Sequence, residues 1–243
     1  MSTQNATIPA EARALGKGFP IMPRAHAAAE AHDALAHLAR DLGPGPFAAV
    51  ILFVSPEADR AALEARLPEA FPGLPVIGCT TAGEISPEGY SEGEIVAVGL
   101  PSDVFAVDFI GVDLGHIDSQ ALIGRLIRAR AGLARQQPDW EDEFAFVMVD
   151  GLSIREDELT TALGPGLGPV PLFGGSAGDG IRFGQTFVLQ DGQFRQGWAV
   201  LMLVRTACKV RVFSLNHLVP TERRMVVTGA DPARRIVHQI NAE

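Results

Sequence analysis

The sequence predicts a mixed α/β fold of two duplicated β-α-β-loop-β-β units, related by a pseudo-two-fold axis, with mixed sheets covered by helices. Three observations predict it. A short motif occurs twice: Pro75–Glu84 reads PVIGCTTAGE and Pro171–Asp179 reads PLFGGSAGD. Each copy follows an apolar run of strand length and then a helix-like segment, the runs being Phe47–Val54 and Phe144–Val149. Each also precedes a further apolar run, Glu94–Leu100 in the first unit and Gly197–Val204 in the second. Self-similarity at a fixed spacing marks an internal repeat. The two Gly-rich loops are therefore expected to face each other.

Taken in order, residues 1–24 are polar and small and read as a lead-in. Ala25–Asp41 is Ala-rich, carries Leu35 and Leu38, and stops at Gly43-Pro44, which predicts a helix with a clear stop signal. Phe47–Val54 is continuously apolar, as expected of a strand buried on both faces. Ser55-Pro56 predicts the cap and first position of a helix ending near Pro68, and Pro75–Cys79 the next strand. Glu94–Leu100 and Val104–Ile110 are joined by Pro101-Ser102-Asp103, a connector short enough to predict an antiparallel pair. Asp118–Arg135 places Leu122, Leu126, Ala129 and Leu133 on one helical stripe.

In the second unit, Ser153 and Glu156 predict a capping box for a short helix that Gly164–Pro171 ends. Gln185–Gln190, Phe194–Val204 and Ala207–Leu215 predict an antiparallel meander, with Asp191-Gly192 as its first turn. Asp231–Asn241 reads as helical. The expected organisation is a lead-in at 1–24 and a domain over 25–215, with repeats at 47–110 and 143–215. Residues 216–243 then begin a connection to a further C-terminal region.

Composition bounds the function. With 47% apolar and 20% charged residues the chain is globular. A formal net charge of -9 opposes nucleic-acid and anionic-membrane partners, both of which need a basic face. Cys79 and Cys208 are too few for a disulfide framework or a Cys-rich zinc site. The N-terminus lacks the apolar core of a signal peptide, and no apolar run approaches the roughly 20 residues that cross a bilayer. A soluble cytoplasmic protein is expected.

The loops offer chemistry of two kinds. Gly78, Gly174 and Gly175 let backbone approach a ligand, while Thr80, Thr81 and Ser176 supply hydroxyls and Glu84 and Asp179 carboxylates. The same small residues also suit plain close packing of the two halves. Neither loop is a Walker A, a GxGxxG or a GxSxG motif, so no dinucleotide site or nucleophile elbow is indicated. A small hydrolase would use Cys79 as nucleophile or Glu84 and Asp179 as an acid–base pair.

GCTTAGEI (Gly78–Ile85), DGLS (Asp150–Ser153) and FGGSAGD (Phe173–Asp179) resemble the FIST sensory domain of bacterial signal-transduction proteins. The resemblance runs from about Phe47 to Leu215 and implies a module that binds a small ligand such as an amino acid. A narrower stretch, Phe213–Glu243, is similar to the NosP branch, haem-containing proteins that sense nitric oxide. That similarity implies haem held by His217, with Arg223 and Arg224 pairing its propionates. It also implies a partner histidine kinase or cyclic-di-GMP enzyme, and a second FIST region beyond Glu243. The residues themselves place His217 before Pro220 among Leu215, Leu218 and Val219, an apolar setting that suits a haem, although a histidine beside a proline is more usually a surface or turn residue.

Overall fold

The computed structural model describes residues 22–86, 89–214, 218–234 and 236–243. It divides into two compact units, Met1–Val212 and Phe213–Glu243. The first unit begins with β1 (Arg24–Ala28), α1 (Ala34–Leu42), β2 (Phe47–Val54), α2 (Arg60–Ala70) and β3 (Val76–Thr80). The hairpin β4 (Glu84–Ser86) and β5 (Gly89–Ser91) follows, then β6 (Glu94–Pro101), β7 (Phe105–Asp113) and α3 (Ser119–Gln136). The second repeat comprises β8 (Asp142–Val149), α4 (Glu156–Leu167), β9 (Leu172–Ser176), β10 (Val188–Gln190), β11 (Gln193–Arg195) and β12 (Trp198–Thr206).

Two sheets organise these strands: a six-stranded one in the order β1-β6-β2-β3-β10-β11 and a four-stranded one in the order β7-β12-β8-β9. Successive strand residues point to opposite faces, and the apolar runs divide accordingly. Val50, Leu52 and Val54 pack with α1 and α2 residues such as Leu38 and Leu63. Ile51, between them in sequence, joins a core with Val200, Met202 and Met148 from the other sheet. Ala145, Val147 and Val149 pack with Leu126 of α3 and Leu163 of α4. The layers are therefore helices, sheet, sheet, helices, with the expected burial of β2 on both faces.

The duplication is visible in register. β2 pairs β3 in parallel with Leu52 opposite Gly78, and β8 pairs β9 in parallel with Val147 opposite Gly174. α2 and α4 are the crossover helices.

Several local expectations are corrected. Ala25–Asp41 is not one helix: residues 24–28 pair with β6 as an edge strand, and the helix starts at Ala34. Alanine accepts either state, and backbone pairing with β6 decides. α2 is capped by Asp59, whose side chain accepts from Ala62 N at 3.0 Å, and it continues through Pro68 to Ala70. Pro68 stands in the last turn, so it removes one helical donor near the end only.

Ser153 does not cap α4; Arg155 occupies the cap position, and the helix runs through Gly164, Pro165 and Gly166 to Leu167. Gly166 stays helical because α3 lies against it: a Cβ there would come within 2.5 Å of Leu126 Cδ1. β6 and β7 do not pair, since Pro101–Asp103 carries the chain from one sheet to the other. The meander also divides. β10 and β11 form the expected Asp191-Gly192 hairpin but join the first sheet, whereas β12 enters the second, and residues 207–214 form no strand.

In the second unit β13 (Val227–Asp231) and β14 (Ile236–Ile240) make an antiparallel hairpin where a helix is expected. Its valines and isoleucines favour strands. No described helix is long and apolar enough to cross a membrane.

Candidate functional site

The two Gly-rich loops meet, as the repeat requires. Gly178 N donates to Thr80 O at 2.9 Å, and a Cβ on Gly178 would lie 2.8 Å from Ala82 N. Gly78 and Gly174 are equivalent in role as well as in register. A Cβ at Gly78 would come within 2.3 Å of Leu52 O, and one at Gly174 within 1.9 Å of Val147 O. These glycines serve close strand packing. Gly175 differs, with nothing within 4 Å of an added Cβ.

Thr80, Thr81 and the motif's two carboxylates are held by the protein itself. Thr80 is buried; its Oγ1 accepts from Phe187 N at 3.0 Å, which ties loop one to the strand leading into β10. Thr81 Oγ1 bonds both Val54 O, at 3.1 Å, and the buried carboxylate of Glu84. Glu84 also accepts from Glu94 N at 3.2 Å. Asp179 accepts from the N–H groups of Phe183, Gly184 and Gln185 at 3.0, 2.6 and 2.9 Å. The Gln185 and Gly184 bonds hold its carboxyl below the usual range against the opposing effect of burial, with lesser help from Phe183 and nearby Arg182.

Cys79 lies on β3 within the inter-sheet core, where burial pushes its thiol up to about 12. A thiol so protonated is no nucleophile at neutral pH. Ser176 is exposed on β9. Asp150, of the DGLS segment, is a further organiser: it accepts from Thr186 Oγ1, Gly197 N and Leu152 N, joining β8 to both sides of the β10–β11 hairpin. Among the described residues no buried side-chain nitrogen or oxygen lacks a partner.

What these locked loops shape is a cleft of about 220 Å³ beside them, lined by Ser55–Glu57, Ala82–Glu84, Glu92, Gly93 and Gly180–Arg182. Its charged wall is Glu57, Glu84 and Glu92 against Arg182, which stands 3.8 Å from Glu57. Glu94 lies behind it, tied to Ser91 Oγ at 2.6 Å and His26 Nδ1 at 3.0 Å. The Ser91 bond foremost, then His26, keep Glu94 below the usual carboxylate range despite burial. Ile181, in the lining, is solvent-facing, and Ile85, Tyr90 and Phe183, close to lining residues in sequence, are exposed as well. Such a mouth suits a small ligand with an ammonium group for the carboxylates and an acidic group for Arg182.

Glu57, Glu92 and Arg182 escape the sequence reading because they lie just outside the repeated motif, in segments read as helix start, turn and loop. The one usable signal is the position of Arg182 between Gly180 and Gly184. Of the residues expected to hold haem, His217 lies outside the described residues, and Arg223 and Arg224 are exposed on the second unit. No cluster of three or more His, Cys, Asp or Glu able to hold a metal occurs among the described residues.

The family model described as FIST N domain matches residues 48–243. No curated protein matches the chain.

Proposed function

The chain belongs to the FIST N domain family, a family of signal-transduction sensors, and from that premise we propose that it binds a small zwitterion such as an amino acid without transforming it. The observation that carries this reading is the cleft beside the paired loops, lined by the carboxylates of Glu57, Glu84 and Glu92 and by Arg182, which stands 3.8 Å from Glu57. The three N–H bonds on Asp179 and the buried, protonated thiol of Cys79 speak against the hydrolase alternative. Titration calorimetry of the intact chain against amino acids and their amine-only and acid-only analogues tests it. Binding is expected for the zwitterion and loss on Arg182→Ala or Glu92→Gln. Equal heats for wild type and both variants would remove the cleft as the site.

A second reading is haem-based sensing of nitric oxide. It is favoured by one observation: Phe213, Leu218, Val219, Met225 and Val226 are all exposed large apolar residues in a segment that also carries Arg223 and Arg224. An apolar macrocycle would cover such side chains, and the two guanidinium groups suit propionates. His217 would be the iron ligand, and the iron would supply the nitric oxide site. A partner histidine kinase or cyclic-di-GMP enzyme would read the change. A ligand shifts a protein only by its differential affinity for two states, so partner affinity must then differ with and without nitric oxide. The visible spectrum after adding haemin, for wild type beside His217→Ala, tests this. A Soret band lost or shifted in the variant supports the assignment; a band unchanged in the variant moves the ligand elsewhere.

A further inference from the structure

We propose that the cavity where β3 and β10 part, beside the end of α2, is a second ligand site that takes a small apolar molecule carrying one secondary amide. The cavity measures about 320 Å³ and is lined by Leu67, Phe71 and Leu74, by Phe109 of β7, and by Val76 and Gln190 of the two strands. It lies at the start of β3, whereas the cleft beside the Gly-rich loops lies past the end of that strand.

The cavity exists because a hairpin turns early. β10 pairs β3 only at Val188–Cys79 and Leu189–Gly78. The next residue, Gln190, pairs Gln193 across the Asp191-Gly192 turn, so β10 sets no residue opposite Val76. On its other side β3 pairs β2, and Val50 N donates to Pro75 O at 3.0 Å. Successive strand residues direct their backbone groups to alternate sides, so Val76 turns its N–H and C=O toward the gap. Thr80 N, four residues on, donates to Phe187 O at 2.9 Å, which gives the same parity from the β10 side. The gap opens the sheet to both of its faces. Leu67 and Phe71 belong to the helix-side core, and Phe109 packs against the inter-sheet one.

Two neutral polar groups stand in these apolar walls. Backbone N–H and C=O groups inside a protein are ordinarily paired, and β10 offers Val76 no partner. Gln190 brings a carboxamide, which lies over Gly111 of β7 where a Cβ would collide with it. This carboxamide makes no hydrogen bond to a described residue. Among the described residues no buried side-chain nitrogen or oxygen lacks a partner, so the Gln190 amide is open to the cavity.

Apolar walls take up an apolar body, and a few polar groups fix its orientation. Val76 and Gln190 each offer a donor and an acceptor without charge. A trans amide points its C=O and N–H in opposite directions, so a single amide group reaches from Val76 on β3 toward Gln190 on β10 and supplies a rung the strands do not make. A carboxylate would leave the Val76 carbonyl unmatched and would meet Asp191, exposed on the turn. An ammonium would leave the Val76 N–H unmatched.

Amide NMR of the intact chain, titrated with N-hexylacetamide and separately with hexyl acetate, tests this. The ester keeps the tail and the carbonyl and lacks the N–H. The amide is expected to give saturable shifts at the Val76 N–H and the Gln190 side-chain NH2, and the ester to bind about tenfold more weakly. Gln190→Leu keeps the volume and removes the carboxamide; it is expected to stay folded by circular dichroism and to bind N-hexylacetamide about tenfold more weakly. Leu74→Trp, which fills the cavity from a half-buried position, is expected to abolish the shifts. An ester that binds wild type as tightly as the amide would overturn the assignment, and this comparison stands even where a variant fails to fold. So would the absence of saturable shifts at Val76 and Gln190, or a folded Gln190→Leu that binds N-hexylacetamide like wild type. Shifts confined to residues 80–84 and 178–185 would overturn it too, by placing the amide in the loop cleft.

Discussion

At the scale of single residues, the motif separates into glycines that pack, side chains that tie the loops, and one glycine that does neither. Gly174→Ala meets Val147 O at 1.9 Å and a φ of +152°, so a loss of about 2 kcal/mol or more is expected in urea unfolding. Gly175→Ala, two atoms of backbone away, should fall within about 0.5 kcal/mol of wild type. Alkylation with iodoacetamide at neutral pH should modify half-exposed Cys208 and spare Cys79 until the protein unfolds. Asp179 makes stability depend on acid. Its folded carboxyl ionises below its unfolded value of about 3.9, so its contribution is complete above that value. The contribution is lost as pH falls through the folded pKa, because the unfolded chain takes the proton more readily. Asp179→Asn should therefore lower Tm near neutrality and flatten the fall of Tm below pH 4. An unchanged acid limb would show that the three N–H bonds do not favour the carboxylate.

At the scale of elements, tertiary contact repeatedly overrides local signal. The amphipathic stripe of α3 is read correctly because Leu122, Leu126, Ala129 and Leu133 bury one continuous face. Its N-cap is Asp118, whose side chain accepts from Ala121 N at 3.0 Å, and Asp118→Ala should cost about 1 kcal/mol in thermal unfolding. α4 instead crosses Gly164-Pro165-Gly166, a sequence that ordinarily ends a helix. Burial of Leu159, Leu163 and Leu167 against α3 offsets the poor propensity, and Gly166 permits the close approach. Ala25, Ala27 and Ala28 form a strand for the same kind of reason: β6 pairs along the whole of β1.

Across the whole molecule, two half-domains exchange strands. β10 leaves the second repeat to cover β3 of the first, and Asp150, Thr80 and Gly178 hold that crossing in place through the bonds described above. The cleft lies beside this crossing. If the zwitterion reading holds, its addition should slow hydrogen exchange in both loops together, around residues 80–84 and 178–185. Protection confined to one loop would mean that the halves are not coupled by the site.

The sequence by itself determined the duplication, the two β-α-β units and the loops that join them, because hydrophobic period and Gly-rich turns are local quantities. The separations Phe53–Gly78 and Met148–Gly174 are nearly equal in the sequence, and the observed partners, Leu52–Gly78 and Val147–Gly174, lie one residue away. It did not determine which sheet each later strand enters. Pro101–Asp103 and Gln196-Gly197 are as compatible with a hairpin as with a step between sheets, and strands buried on both faces carry no mark of which neighbour they meet. Only the tertiary structure decided that. Closing two sheets over one shared core buries Ile51, Met148 and Met202 together, and this shared burial moves β7 and β12 into one sheet and β10 into the other. The cleft follows from that choice, since Glu57, Glu92 and Arg182 come from segments far apart in sequence and converge only once the strands have crossed.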